Sequence, residues 1–266
     1  MAYDHGHDDF DTVRLLLAGD PHLWQNPMDP ERDIERINWY GRGSEEMMLS
    51  GEDPGENYDV KRLIEKEGIY RSCDGLIVPG DVAKDKENVQ MLVDEGHMYD
   101  NIRIAYGNND EFDPFDLYGD ENDEIDSTVV WDEVYGNETY TFSMKHDPAR
   151  YRIKRGSSKA SNQNPENKDI LIAAHNHEPK SKILDDGLLY INPGSIFSNY
   201  TNDGFSPSNS IFMVDIDETV TISHYDYDRA ELVSRDEYVR INGVFRSVDD
   251  LEEEENDIGL GRVSTA

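Results

Sequence analysis

Five short polar clusters follow one another along the chain: Gly19-Asp20-Pro21-His22, Gly80-Asp81, Gly107-Asn108-Asn109-Asp110, Lys145-His146-Asp147 and Ala174-His175-Asn176-His177. Together they offer enough carboxylate, amide and imidazole donors for two divalent metal ions. Hydrolysis of a phosphate ester at neutral pH needs a strong nucleophile and relief of charge on the phosphoryl oxygens. Two metals about 3.5–4 Å apart supply both, by acidifying water and clamping substrate oxygens. One carboxylate can serve both metals with its two oxygens, and Asp81 is the natural bridge. Taken singly, each cluster reads as an ordinary turn, because Gly, Asp and Asn favour turns. The ordered set is what points to chemistry.

Four of the five clusters closely follow a largely apolar stretch: Val13 to Ala18, Leu76 to Val78, Ile102 to Tyr106 and Ile170 to Ala174. The unbroken apolar part of the first, Leu15 to Ala18, suits a strand covered on both faces, and the candidate ligands are read as lying at strand ends. Val60 to Glu67 has helical spacing through Val60, Leu63 and Ile64, with Gly68 placed to end it. Asp85 to Glu95 reads as a second helix with Val89, Leu92 and Val93 facing inward. This β-α-β-α-β order implies a parallel or mixed sheet with right-handed crossovers.

Beyond residue 128 the character changes to short β-rich runs: Val129 to Tyr135, Thr139 to Met144, Asp169 to Ala174, Leu188 to Asn192, Ile211 to Asp215 and Val220 to His224. They predict a second sheet packed on the first. The catalytic domain is expected to span 13–226, after a flexible acidic segment at 1–12 and with a lid-like insertion at 23–57. The polar stretch 156–168 is expected to be an exposed excursion. Residues 227–266 are read as one more helix, through Leu232 and Val239, followed by an acidic tail.

The formal net charge is −33, from 58 acidic and 25 basic residues. Such a balance often prevents folding, but grouped apolar runs favour a folded protein adapted to molar salt. At about 1 M ionic strength the Debye length is roughly 3 Å, so self-repulsion is largely screened. A uniformly acidic surface also disfavours nucleic acid as a partner. Cys73 is the single cysteine, which excludes an intrachain disulfide and a multi-cysteine zinc site. No run reaches the roughly 18–20 apolar residues of a membrane span, and the first residues lack a secretory apolar core. The expected location is the cytoplasm.

The ordered clusters resemble the calcineurin-like metallophosphoesterases, whose pattern runs D-x-H, G-D, G-N-[H/C]-[D/E], H and G-H-x-H. Asn192-Pro193-Gly194-Ser195 resembles the N-P-G-S segment of one branch, the small YfcE-like phosphodiesterases, to which a retromer trafficking subunit is also similar. The resemblance implies a four-layer α/β/β/α sandwich of two mixed β-sheets. It also implies two divalent metal ions, manganese first, with nickel, zinc, iron or cobalt as alternatives. Carried over, the first metal is held by Asp20, His22, Asp81 and His177, and the second by Asp81, Asn108, His146 and His175. The implied reaction is hydrolysis of a small phosphodiester or nucleotide by a metal-bridging hydroxide.

Departures from the pattern sharpen this reading. Asn109 stands where a His often protonates the leaving group, and Asn cannot titrate. General acid assistance is commonly worth about 10²–10⁴ in rate, so better leaving groups are favoured and Asn109 is expected to orient the substrate phosphate. Ala174 replaces a Gly. Val82-Ala83-Lys84-Asp85 lacks the Arg-Gly that marks the protein phosphatases, which disfavours monoesters. Arg150 and Arg152, in the densest basic stretch, are candidate substrate contacts. Trp24 and Trp39 are read as packing residues with base stacking as the alternative, and His5-Gly6-His7 as part of a terminal tail. A nuclease working at high salt and a non-catalytic scaffold like the retromer subunit are the rival readings.

Overall fold

A computed structural model describes residues 12–21, 73–82, 89–90, 92, 101–110, 125–126, 128–148, 169–196, 209–226, 229 and 231–253. Thirteen strands are present among them. In chain order they are β1 (Val13–Leu17), β2 (Gly75–Val78), β3 (Asn101–Ala105), β4 (Ile125–Asp126), β5 (Val129–Tyr135), β6 (Glu138–Met144), β7 (Ile170–Ile172), β8 (Lys180–Ile183), β9 (Leu189–Asn192), β10 (Ser210–Ile216), β11 (Val220–Asp226), β12 (Glu231–Ile241) and β13 (Val244–Ser247). The predicted helix at 60–67, the lid at 23–57 and the segments 1–11, 156–168 and 254–266 lie outside the described residues.

The strands form two mixed sheets, as expected for this α/β fold. One has eight strands in the order β13-β12-β11-β10-β1-β2-β3-β4, and the other five in the order β5-β6-β7-β9-β8. β1 to β4 run parallel, whereas β10 lies antiparallel to β1 with Leu17 opposite Phe212. In the smaller sheet β6, β7 and β9 are parallel and the outer strands β5 and β8 antiparallel to their neighbours.

The period-2 alternation of a strand explains where the core sits. Leu15 and Leu17 of β1, Phe212 and Val214 of β10, and Phe142 and Met144 of β6 belong to one buried cluster between the sheets. Residues of opposite parity, such as Leu16, Leu76, Val78 and Met213, are buried too, so the centre of the large sheet is covered on both faces. This is why those strands read as unbroken apolar runs. Within the predicted helix at 85–95, positions 89–90 and 92 are helical, with Val89 and Leu92 buried.

Three expectations need correction. The runs at 211–215 and 220–224 do not belong to a second sheet: β10 and β11 extend the first one across β1. The helix expected through Leu232 and Val239 is strand β12, paired with β11 from Glu231 to Tyr238. Its alternation of Val233, Arg235, Glu237, Val239 and Ile241 against Tyr238 and Asp236 suits a strand, and cross-strand pairing overrides the helical spacing of two residues. The domain therefore does not end at 226; it continues at least through Ser247, followed by a short helical segment at 248–253.

The added β12–β13 hairpin joins the two sheets. Phe245 N donates to Gly187 O at 2.9 Å, in the β8–β9 turn. A Cβ on Gly187 would lie 2.6 Å from the Val244 side chain, so glycine is required at this close approach as well as for its φ of +81°. Arg240 spans the gap as well: Nη1 donates to Asp169 Oδ2 at 2.8 Å, Nη2 donates to Glu138 Oε2 at 2.7 Å, and the guanidinium lies 4.8 Å from the Tyr140 ring centroid.

Candidate metal centre

Each ligand cluster sits where a strand has just ended. Asp20 follows β1, Asp81 follows β2, Asn108 and Asn109 follow β3, His146 follows β6, and His175 and His177 follow β7. The chain must turn sharply there to bring side chains back over the sheet edge. Asp20, Asp81, His175 and His177 accordingly have left-handed φ values of +41°, +52°, +63° and +51°. Asp and His tolerate this region better than bulky residues, yet each such residue costs on the order of 1–3 kcal/mol and persists only when its surroundings fix it. The neighbouring glycines permit the close approach: a Cβ on Gly107 would lie 2.2 Å from Asp81 N, and one on Gly80 2.8 Å from the His146 ring.

Two groups of donors result. In the first, His146 Nε2 lies 2.9 Å from Asn108 Oδ1, 3.1 Å from His175 Nδ1 and 3.3 Å from Asp81 Oδ2. In the second, His177 Nε2 lies 3.1 Å from Asp20 Oδ2. The backbone joins the groups, since His175 N donates to Asp20 Oδ2 at 2.9 Å. Of the expected ligands, six of seven are thus brought together, and His22 lies outside the described residues, as do Arg150, Arg152, Trp24, Trp39, His5 and His7.

The donor set fits divalent cations. Nδ1 of His146 faces Pro79 O at 2.9 Å and can only donate to a carbonyl, which leaves Nε2 of the neutral ring as a lone pair among three other lone-pair donors. Proton or cation must resolve that crowding. Nδ1 also lies 3.3 Å from Asp20 Oδ1, an ion-pair contact rather than a hydrogen bond, because its N–H points at Pro79. Asp20 Oδ1 is therefore buried without a hydrogen-bond partner, a costly arrangement for a carboxylate that a cation relieves. Asp81, His146 and His175 offer ligand atoms within 4.8 Å of one another.

Electrostatics agree with the geometry. Burial opposes a charged His146, but Asp20 and Asp81 outweigh it and push its pKa up to about 11. Burial likewise works against an ionised Asp81, yet His146 and the Asn109 hydrogen bonds hold it well below the usual carboxylate range. Asp20 is lowered in the same way by His146 and His177 against complete burial. Positive charge is thus favoured at this point, and a protonated His146 or a bound cation would supply it.

Asn109, expected to face substrate, turns towards Asp81: its Nδ2 donates to Oδ2 at 2.7 Å and its backbone N to Oδ1 at 2.9 Å. Supporting residues that sequence reasoning left without a role also appear. Buried Asp110 accepts from Asp81 N at 3.1 Å and Gly107 N at 2.7 Å, and Tyr106 donates its hydroxyl to Asp110 O. Asn192 and Ser195 are buried beside the ligand turns.

The sequence model of the calcineurin-like phosphoesterase superfamily domain matches residues 61–219, more than half of the chain. The chain belongs to this superfamily. The match starts after the first ligand cluster, so the place of Asp20 in the family's site rests on geometry. No curated protein sequence matches. Among solved structures, vacuolar protein sorting 29 from Cryptosporidium parvum aligns with a TM-score of 0.54 and 18% identity, covering 87% of this chain and 100% of that one; it shows the shared fold. Wild-type Vps29 of Entamoeba histolytica complexed with zinc aligns at TM-score 0.47 and 18% identity, covering 88% of this chain and 97% of that one. A conserved Streptococcus pneumoniae protein described as a predicted phosphoesterase aligns at 0.43 and 14% identity, covering 90% and 98%.

Proposed function

We propose that this chain is a metal-dependent phosphoesterase that hydrolyses small phosphodiesters, nucleotide-like ones included, in the molar-salt cytoplasm of its host. The observation that carries the reading is the convergence of Asp81, Asn108, His146 and His175 next to an oxygen of Asp20 that is buried without a hydrogen-bond partner. Two divalent cations, manganese first, are the proposed cofactors. Asp20, His22, Asp81 and His177 would hold one, and Asp81, Asn108, His146 and His175 the other. Bound there, divalent cations supply Lewis acidity towards phosphoryl oxygens and acidify water.

The chain's own residues contribute order. Asp81 is fixed in the first donor group by Asn109 and by its backbone bond to Asp110, so its two oxygens have set directions. Asn109 has no proton to give to a leaving alkoxide, which supports diesters with acidic leaving groups over alkyl monoesters. Arg150 and Arg152 are the proposed contacts to substrate phosphate.

The test compares bis-p-nitrophenyl phosphate with p-nitrophenyl phosphate at molar KCl and excess manganese. Diester turnover that disappears in Asp81→Ala is expected; undiminished turnover in that variant would sink the assignment. Wild-type protein that binds manganese stoichiometrically but turns over neither ester, dinucleotides nor nucleic acids would favour the scaffold. Preference for nucleic acid would favour the nuclease.

A further inference from the structure

The buried turn Asn192-Pro193-Gly194-Ser195 lies at the C-terminal end of β9, in contact with the His175–His177 turn and with Asp20. Asn192 is fully buried and Ser195 is 1% exposed. The orientation of the Asn192 amide is fixed by its partners. Gly194 N can only donate and lies 2.8 Å from Oδ1, whereas Ala174 O can only accept and lies 3.2 Å from Nδ2. Nδ2 also donates to Asn176 Oδ1 at 2.6 Å, and Glu178 N donates to that same oxygen at 3.3 Å. Asn176 N in turn donates to Ala174 O at 2.7 Å. All of these bonds except that of Gly194 N fall on the five-residue turn, Ala174 to Glu178, that carries His175 and His177, both in the left-handed region.

The other end of the turn reaches Asp20. Ser195 Oγ donates to Asp20 O at 3.1 Å, and Ile196 N donates to Gly19 O at 3.0 Å. Gly194 has a φ of +77°, and a Cβ on Gly19 would lie 2.0 Å from Gly194 O, so the two backbones touch. With His175 N bound to Asp20 Oδ2, a closed ring of hydrogen bonds runs from the His turn through Asn192, Gly194 and Ser195 to Asp20 and back.

We infer that Asn192-Pro193-Gly194-Ser195 is a positioning clip for the metal centre. Asn192 holds the His175–His177 turn in its left-handed form through Asn176, and Ser195 holds Asp20 at the facing distance. The inference rests on the metal-centre reading above. Two strained histidines and one buried carboxylate keep their directions only while all three segments are tied together. Partners beyond the ligands commonly change metal affinity about 10- to 100-fold, which sets the effect to look for.

The experiment measures manganese affinity by calorimetry and the visible spectrum of the cobalt-loaded protein, with stability followed by denaturant melts. Asn192→Asp replaces the donor by an acceptor facing Ala174 O and Asn176 Oδ1. It is expected to weaken manganese binding about 10- to 100-fold and to shift the cobalt bands. Should that buried change prevent folding, Asn176→Ala, at a half-buried position, carries the test with the same expected direction. Asn176→Asp keeps the acceptor and should restore wild-type affinity, and Ser195→Ala should weaken one of two equivalents. Wild-type affinity and an unchanged cobalt spectrum in Asn176→Ala and Ser195→Ala would overturn the clip, whatever happens to stability. A wild-type protein that binds no divalent metal would instead overturn the metal centre, and the clip with it.

Discussion

Asn109 engages both carboxylate oxygens of Asp81, through its side-chain amide at 2.7 Å and its backbone N–H at 2.9 Å. The residue in the family's proton-donor position therefore acts on Asp81, the proposed bridging carboxylate. Asn109→Ala is expected to lower diester turnover roughly 10- to 100-fold, the usual range for loss of a ligand's supporting partner. Asn109→His restores a titratable group at the site, so its gain should be largest for esters with poor leaving groups. Rates across a series of leaving-group pKa values measure this. An unchanged slope in Asn109→His would show that no proton is delivered from position 109.

His224, half-buried on β11, packs against Phe212 with ring centroids 4.8 Å apart and planes tilted by 40°. Burial lowers its pKa, with Asp226 and Asp236 opposing more weakly. The unfolded chain therefore binds the His224 proton more readily than the native one. Its contribution to stability is present above the unfolded value of about 6.5 and is lost as pH falls through that value towards the lower native pKa. His224→Gln should flatten the rise of unfolding free energy with pH across this window, relative to wild type. Parallel curves for the two proteins would contradict the assignment.

A net charge of −33 loads the folded state with self-repulsion that salt screens. Melting temperature should rise steeply from low to molar KCl. An uncharged osmolyte at matched osmolality should give much less of the rise. Equal stabilisation by the two would remove screening as the cause.

Trp131 stacks on Phe142 with centroids 4.9 Å apart, and the Arg103 guanidinium lies 5.1 Å from the Trp131 ring centroid. Both rings belong to the cluster between the sheets. Trp131→Ala should cost about 3–5 kcal/mol in a urea melt, as large-to-small changes in packed cores do. A cost below about 1 kcal/mol would mean that this part of the core is not packed as described.

The strand-end placement of the candidate ligands was legible because residue type, order and the preceding apolar run survive in one dimension. β1, β2, β3 and β10 showed through two-sided burial. β8 did not: Lys180-Ser181-Lys182-Ile183 is a polar edge strand, and lysines at an edge guard against unwanted pairing. β12 was misread because Leu232 and Val239 are spaced as on a helix, while its actual partner β11 can be known only in three dimensions. The left-handed φ values of the ligands, and the supporting bonds of Asp110, Asn192 and Ser195, depend on contacts between segments far apart in sequence.

β1 lies at the centre of the large sheet, between β2 and β10. A ribosome releases β1 early, followed by its parallel neighbour, but Phe212 must emerge before Leu17 meets its other partner. Asp20 waits as well, because His175 N and Ser195 Oγ hold it. Long-range pairing of this kind slows folding and leaves strand edges open meanwhile. The centre thus stays incomplete after Asp20 has been made, until Ser195 and Phe212, far downstream of it, have followed.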